Sequence, residues 1–282
     1  MKIRKKNIRI LAGIAASAVI CFGTWKALQP QAVQAKISSK TKVVAATSAV
    51  SNPFSYEDSN GLTGYDVELL NAVFKNSKKY KLTWKQVEFP SILSGLDSGR
   101  YTVGANNFSS NDERRKKYLF SEPIVENPNV MVVREGSNIN SLEDLAGEKA
   151  VTEVGNSSAT ILESYNSEHP DDNTIDITYT KEDLALQFLA IENGTYDVRI
   201  VSKISAEQLI KQNDYDGLKV VELTDDETGN LDNNSYFLLA NNDEGEEIQE
   251  FINKRLKKLR KNGQWKKISE EFFGENNLPD KE

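Results

Sequence analysis

The chain has 282 residues, 35 basic and 42 acidic side chains, a formal net charge of −7, one cysteine and one histidine. That acidic balance excludes nucleic acid and anionic membrane surfaces as partners. One cysteine and one histidine leave no disulfide framework, no zinc cluster and no thiolate catalysis, and no cofactor is expected.

Lys2, Arg4, Lys5, Lys6 and Arg9 precede an apolar run over residues 10–25. A basic stretch followed by an apolar one is the pattern of an export signal, and the run is slightly short for a membrane span. Val33-Gln34-Ala35 offers small residues for cleavage before Lys36. Loss of residues 1–35 removes six basic residues and no acidic one, so −7 becomes −13 and about 247 residues remain. That length suffices for two modest α/β domains.

A strand is expected over 40–46, then a small hairpin turning at Asn60-Gly61. Val67, Leu70, Val73 and Phe74 share one face of a helix over 64–74, with Asp66 and Glu68 in its first turn, where acids are ordinary structural features. Residues 82–87 alternate as a strand, and a short helix over 89–99 ends at Gly99. Tyr101-Thr102-Val103 reads as strand, followed by a polar loop with Asn106, Asn107, Ser109 and Ser110. A helix then starts at Ser110 or Asn111, with Ser110 and Glu113 at capping-box spacing. Arg114 lies on its first turn; a guanidinium beside free helix N–H groups suits a carboxylate, although a solvated Arg-Arg-Lys-Lys run has the same spelling.

Residues 130–133 form a buried strand, after which composition shifts towards a second domain. Ser141 with Asp144 caps a short helix, 149–154 is a strand, and Gly155-Asn156-Ser157-Ser158 leads into a helix capped by serine. Strand 175–179, amphipathic helix 181–193 with Leu184, Phe188, Leu189 and Ile191 inward, and strand 218–223 follow. An acidic crossover over 225–234 returns the chain to the first domain, where helix 246–259 and a terminal helix with Trp265, Ile268, Phe272 and Phe273 finish the fold. His169 and Asp171-Asp172 lie in a solvated loop without a metal or catalytic role.

Three segments carry a family resemblance: PFSYEDSNGLTGYDVELLNAVF, GANNFSSNDERRKKYLFSEP and the Leu…Gly-x-Trp…Phe-Phe-Gly tail. Together they resemble the extracellular solute-binding proteins of family 3, which serve polar amino-acid ABC importers, over residues 40–275. The resemblance implies a type II periplasmic-binding fold: two three-layer α/β lobes, residues 36–133 with 233–282 and residues 134–232, joined by crossovers near 133–134 and 233–236. It implies a monomeric, extracytoplasmic receptor that captures an amino acid, polar or sulfur-containing such as cystine, and delivers it to an importer permease. Arg114 then grips the ligand carboxylate, with Ser109 beside it and Ser157 and Ser158 meeting it from the other lobe. Asn107, Phe89, Phe54 and Ser51 complete the pocket wall. Ser202 stands where the family places the acid that binds the ligand amine, and Ser51 lies near a position that relatives fill with an aromatic. Ile20 stands before Cys21 where lipidated relatives have a small residue, which argues against a lipid anchor; cleavage or an uncleaved anchor remains.

Two other classes share the fold. A small prephenate or arogenate dehydratase needs a general acid in the cleft, which neither Ser202 nor His169 supplies. A binding-only sensor or adhesin has the same residues as a transport receptor.

Overall fold

A computed structural model describes residues 40–170, 173–229 and 231–279. The export segment with Cys21, and Asp171-Asp172, lie outside these described residues. Among them no helix is long and apolar enough to cross a membrane.

The first sheet is built from β1 (Thr41–Thr47), β5 (Tyr80–Gln86), β6 (Val103–Ser109), β7 (Leu119–Phe120), β8 (Val125–Glu126) and β14 (Asn234–Leu239). Its order is β5-β1-β6-β14-β7, with β8 also on β14; β5, β1 and β6 are parallel and the others run against β14. Side-chain alternation sends Val43 and Ala45 to one face and Ala46 to the other. On the first face pack α1 (Tyr65–Phe74), α8 (Asp243–Lys261) and α9 (Gln264–Phe273), through Leu69, Val73, Ile248, Ile252 and Trp265. On the second face α2 (Phe89–Asp97) packs through Ile92 and Leu96.

The second sheet contains β9 (Asn129–Arg134), β10 (Lys149–Thr152), β11 (Asp176–Tyr179), β12 (Val198–Ser202) and β13 (Leu218–Glu222), in the order β11-β10-β12-β9-β13. Here too alternation builds both layers at once. Met131 and Val133 face α4 (Ser157–Glu168), while Val130 and Val132 face α5 (Leu184–Glu192) and α6 (Lys203–Asn213). Each lobe is therefore a sheet between two helical layers, the type II architecture.

Several expectations are corrected. The first crossing lies earlier than 133–134, because β9 is bonded along its length to β12 and β13 while β8 still pairs with β14; the chain changes lobe at Asn127-Pro128. The polar stretch 106–109 is strand rather than loop, since β6 continues to Ser109. Asn111, not Ser110, caps α3 (Asp112–Lys117) by accepting the Arg114 N–H at 2.8 Å. Ser110 Oγ instead donates to Asp232, so no capping box forms there. Likewise Asn156 rather than a serine caps α4. Leu189 is 46% exposed and not part of the inward face of α5. The acidic crossover includes a helical turn, α7 (Asp225–Thr228), closed by a Thr224–Glu227 capping box.

The segment from Pro53 to Asp66 explains why its glycine and aromatics keep their spacing. Strands β2 (Val50–Ser51), β3 (Ser55–Asp58) and β4 (Gly61–Thr63) form a small antiparallel sheet that returns the chain to Phe54. Tyr65 N–H donates to the Pro53 carbonyl and Asp66 N–H to the Phe54 carbonyl, both at 2.9 Å. Gly64 sits between them at φ 121°, and a Cβ there would lie 2.4 Å from the Phe54 oxygen. Gly64→Ala is expected to lower stability by at least about 1–3 kcal/mol from the backbone conformation alone, read as a fall in the urea midpoint at unchanged slope.

Asp66 is fully buried, and its carboxylate accepts the N–H of Asn107 at 2.7 Å. Asn107 is held at φ 51°, inside a bulge where three residues of β6 stand opposite Phe237 alone. Burial pushes the Asp66 carboxyl up to about 7, partly offset by the Asn107 N–H. The folded chain then holds a proton that the unfolded chain, at an ordinary 3.8, releases. Its contribution to stability is complete below pH 3.8 and is lost as pH rises through about 7, at up to about 1.4 kcal/mol per pH unit. Asp66→Asn should flatten that slope in urea titrations between pH 4.5 and about 7; an unchanged slope would place the titration elsewhere.

Candidate functional site

The parallel strands of both sheets end towards one another, and loops beyond carboxyl ends of strands are where α/β folds hold ligands. Between them lies a cavity of about 120 Å³. The first lobe contributes Ser48 and Ser51 after β1, Phe89 at the start of α2, the 106–109 segment of β6, and Arg114. The second contributes Glu153 after β10, Asn156, Ser157 and Ser158 at the start of α4, and Arg199 to Ser202 of β12.

Arg114 is 7% exposed despite its place in a basic run. Asn111 caps its turn and Phe108 lies beneath the guanidinium, 5.7 Å from carbon to ring centre. Nη1 donates to the Ser109 carbonyl at 3.0 Å and, more weakly, to Ser109 Oγ at 3.4 Å. Nη2 crosses the cleft to the Gly155 carbonyl at 2.8 Å. These acceptors are neutral, and burial lowers the guanidinium to about 10, still charged at neutral pH. A buried cation without an anion is costly, and a bound carboxylate relieves that cost.

Arg115 points the other way. It donates to Asp232 at 2.9 Å and to Ser110 Oγ at 2.7 Å, and lies over Phe120 and Tyr236. Asp232 belongs to the return crossing, so Arg115 fastens the hinge and does not line the cavity.

Asn107 is the junction between the lobes. Its Oδ1 accepts from Asn127 Nδ2 at 3.1 Å and from Ser235 Oγ at 2.5 Å, one residue on each crossing. Its Nδ2 donates to Ser202 Oγ at 3.2 Å. Ser202 is the N-cap residue of α6, and Asn127 Oδ1 accepts the Ile204 N–H in that helix's first turn at 3.1 Å.

The second lobe's wall holds a second buried arginine. Arg199 is 6% exposed; its Nη1 donates to Ile200 O at 2.6 Å, to Thr152 Oγ1 at 3.2 Å and, by a short contact, to Ser158 Oγ. Burial lowers it to about 10, so it too stays charged. Glu153 is half-buried nearby, and that burial raises its carboxyl. At the cleft edge Lys181 of the second lobe pairs with Glu88 of the first at 2.7 Å; both are exposed, and such pairs contribute roughly 0–1 kcal/mol.

Eight of the nine residues anticipated from sequence line the cavity: Arg114, Ser109, Asn107, Phe89, Ser51, Ser157, Ser158 and Ser202. Phe54 does not. It is fully buried against Tyr65 and Phe273, at ring separations of 6.3 and 5.5 Å, and belongs to the core that seats α1. Glu153, Gln187 and Arg199 were not anticipated, since each is one polar letter in an otherwise ordinary strand end or helix. His169 lies just past α4 as expected, but is only partly exposed. It ends α4, with Nδ1 at 2.9 Å from the Tyr165 carbonyl and its ring stacked on Tyr165 at 4.2 Å. It faces a larger groove of about 460 Å³, but that groove carries Asp112, Glu113, Glu143, Glu168, Asp226 and Glu227 and no guanidinium. Its charge repels carboxylates, whereas the interlobe cavity carries two buried guanidiniums and is the candidate site.

The sequence profile of the bacterial extracellular solute-binding proteins, family 3, matches residues 43–275. The probable amino-acid-binding protein YxeM of Bacillus subtilis is 30% identical over 276 residues, 98% of this chain and 97% of that protein. The L-cystine-binding protein TcyJ of Bacillus subtilis is 26% identical, over 84% of this chain and 85% of that protein. Among solved structures, one from a study of glutathione import via GshT and the cystine importer TcyBC of Streptococcus mutans is 42% identical. It covers 86% of this chain and 98% of that chain, with a TM-score of 0.80.

Proposed function

The chain belongs to the bacterial extracellular solute-binding proteins of family 3, and from that premise we propose that it captures an amino-acid-derived sulfur compound of the cystine and glutathione class. The substrate-binding role is common to its relatives; the ligand class rests on the 42% identical structure and on a cleft made for an acid. The observation that carries the reading is Arg114, a buried cation at the cleft whose acceptors are two carbonyls and a hydroxyl, all neutral.

A ligand carboxylate takes Nη2 in place of the Gly155 carbonyl, with Ser109, Ser157 and Ser158 around it. Because Arg114 on one lobe and the start of α4 on the other meet the same anion, binding favours the closed form. The closed monomer then docks on an ABC importer permease at the outer face of the membrane, released from or held by residues 1–35. Phe89 and Ser51 line the side-chain end, and Ser202 offers a hydrogen bond without a charge. Binding proceeds without turnover, so the ligand is recovered unchanged.

Calorimetry with cystine, glutathione, arginine and histidine tests the reading. Arg114→Ala should abolish measurable binding, because a desolvated charge-assisted pair is lost, while the melting temperature stays near that of the wild type. Arg115→Ala should change affinity less than about threefold, which is below 1 kcal/mol. Equal losses for both variants, or arginine and histidine binding more tightly than the sulfur compounds, would sink the proposal, as would conversion of the ligand detected by mass spectrometry.

A further inference from the structure

Three buried side-chain atoms among the described residues have no hydrogen-bond partner: Asp66 Oδ1, Gln187 Oε1 and Arg199 Nε. Asp66 is a carboxyl raised by burial, deep under the bulge. The other two residues lie on the second lobe's wall of the cavity, and both are more than nine-tenths buried. One is an unused donor of a cation and the other an unused acceptor. Buried polar groups are ordinarily paired, so orphans clustered at a cleft call for an absent partner.

Arg199 is the more demanding of the two. Among the described residues it has no carboxylate within salt-bridge distance, and its bonds go to two hydroxyls and a carbonyl of the protein. Ser158, one of those hydroxyls, lies in the first turn of α4, a helix of twelve residues. A cation at a helix N-terminus is opposed by the helix dipole. A neutral side chain would hold Thr152 and Ser158 together without either the desolvation or that repulsion. A second anion at this point satisfies the guanidinium and offsets that repulsion.

The charges facing the cavity are Arg114 on one lobe, Arg199 with Lys181 on the other, and the carboxylates Glu153 and Glu182. Lys181 is already engaged by Glu88. We infer that the ligand carries two carboxylates and a free amine: one carboxylate on Arg114, the second on Arg199, and the amine facing Glu153 and Gln187. This deepens the proposed function and rests on its reading of the cleft. Amine recognition thereby passes from the end of β12, where Ser202 has no charge to offer, to the end of β10. Glu153 supplies the charge there, and Gln187 Oε1 the unused acceptor.

The experiment compares glutathione or cystine, whichever binds more tightly, with its derivative amidated at one carboxylate (the glycine carboxylate in glutathione). Wild-type protein should bind the diacid at least about tenfold more tightly than the amide, as loss of a charge-assisted bond implies. Arg199→Gln keeps a donor for Thr152 and Ser158, and its fold is checked by circular dichroism and melting. It should weaken the diacid by a similar factor and leave the amide within about twofold. Equal affinity of wild type for diacid and amide overturns the inference, and this arm needs no variant to fold. Equal weakening of both ligands by Arg199→Gln also overturns it, because Arg199 would then only brace α4. Tight binding of a monocarboxylate amino acid with no diacid bound overturns the inference and leaves capture at Arg114 standing. Failure to bind any amino-acid compound overturns both.

Discussion

The cleft depends on one backbone N–H held by one dry carboxylate. Asp66 grips the N–H of Asn107 from inside the first lobe and keeps that residue at a positive φ which an extended strand would not adopt. Without the bulge, β6 would continue beside β1, whose pairing with it stops at Gly104. With it, the strand turns away and Asn107 reaches both crossings and the opposite lobe. Position and hinge are thus set by the same bond. Asp66 is held in turn by the N-terminus of α1, which the Phe54 carbonyl, Gly64 and the Tyr65–Trp265 contact at 2.8 Å fix in place. A stretch that does not line the cavity therefore determines where the cavity-facing strand goes.

The electrostatics of the cleft follow a second constraint, the desolvation of like charges on facing walls. Arg114 and Arg199 are each under one-tenth exposed and each bonded to neutral acceptors. Their burial is tolerable because carbonyls and hydroxyls can be exchanged for carboxylate oxygens, which bind a guanidinium more strongly. Around them the surface carries an acidic balance, so the cleft is a local exception to the sign of the whole molecule. Selection of an anion by a net acidic protein requires that the receptor charges be short-ranged and enclosed.

Much of the fold was legible because its causes are local. The apolar runs 43–46 and 130–133 spell strands, and the structure divides each run between the two layers of its lobe. The hairpin at Asn60-Gly61 and the Ser141–Asp144 cap were readable for the same reason. The first crossing was misplaced because an apolar strand reads the same whichever sheet it joins, and only pairing with β12 and β13 assigns β9 to the second lobe. The 106–109 segment read as a loop because its polar letters are cavity-facing strand positions, and its bulge is held by Asp66 across 41 residues of sequence.

The site divides along the same line. Arg114, Ser109, Ser157 and Ser158 were found through a motif, in which neighbouring residues cooperate on one turn. Phe54 was misjudged because the motif keeps it for the packing of α1, and spacing alone does not separate a core aromatic from a pocket one. Arg199, Glu153 and Gln187 share no motif: one is the single charged residue of β12, one follows β10, one lies within α5, and the fold alone brings them to a single wall. Specificity in a two-lobed receptor is expected in such residues. The proposed carboxylate grip on the motif side needs a fixed turn, whereas a strand position can change its side chain while the sheet beneath it is unchanged. The uncharged Ser202 and the charged Arg199 lie on one strand, three residues apart, and both line the second lobe's wall of the cavity.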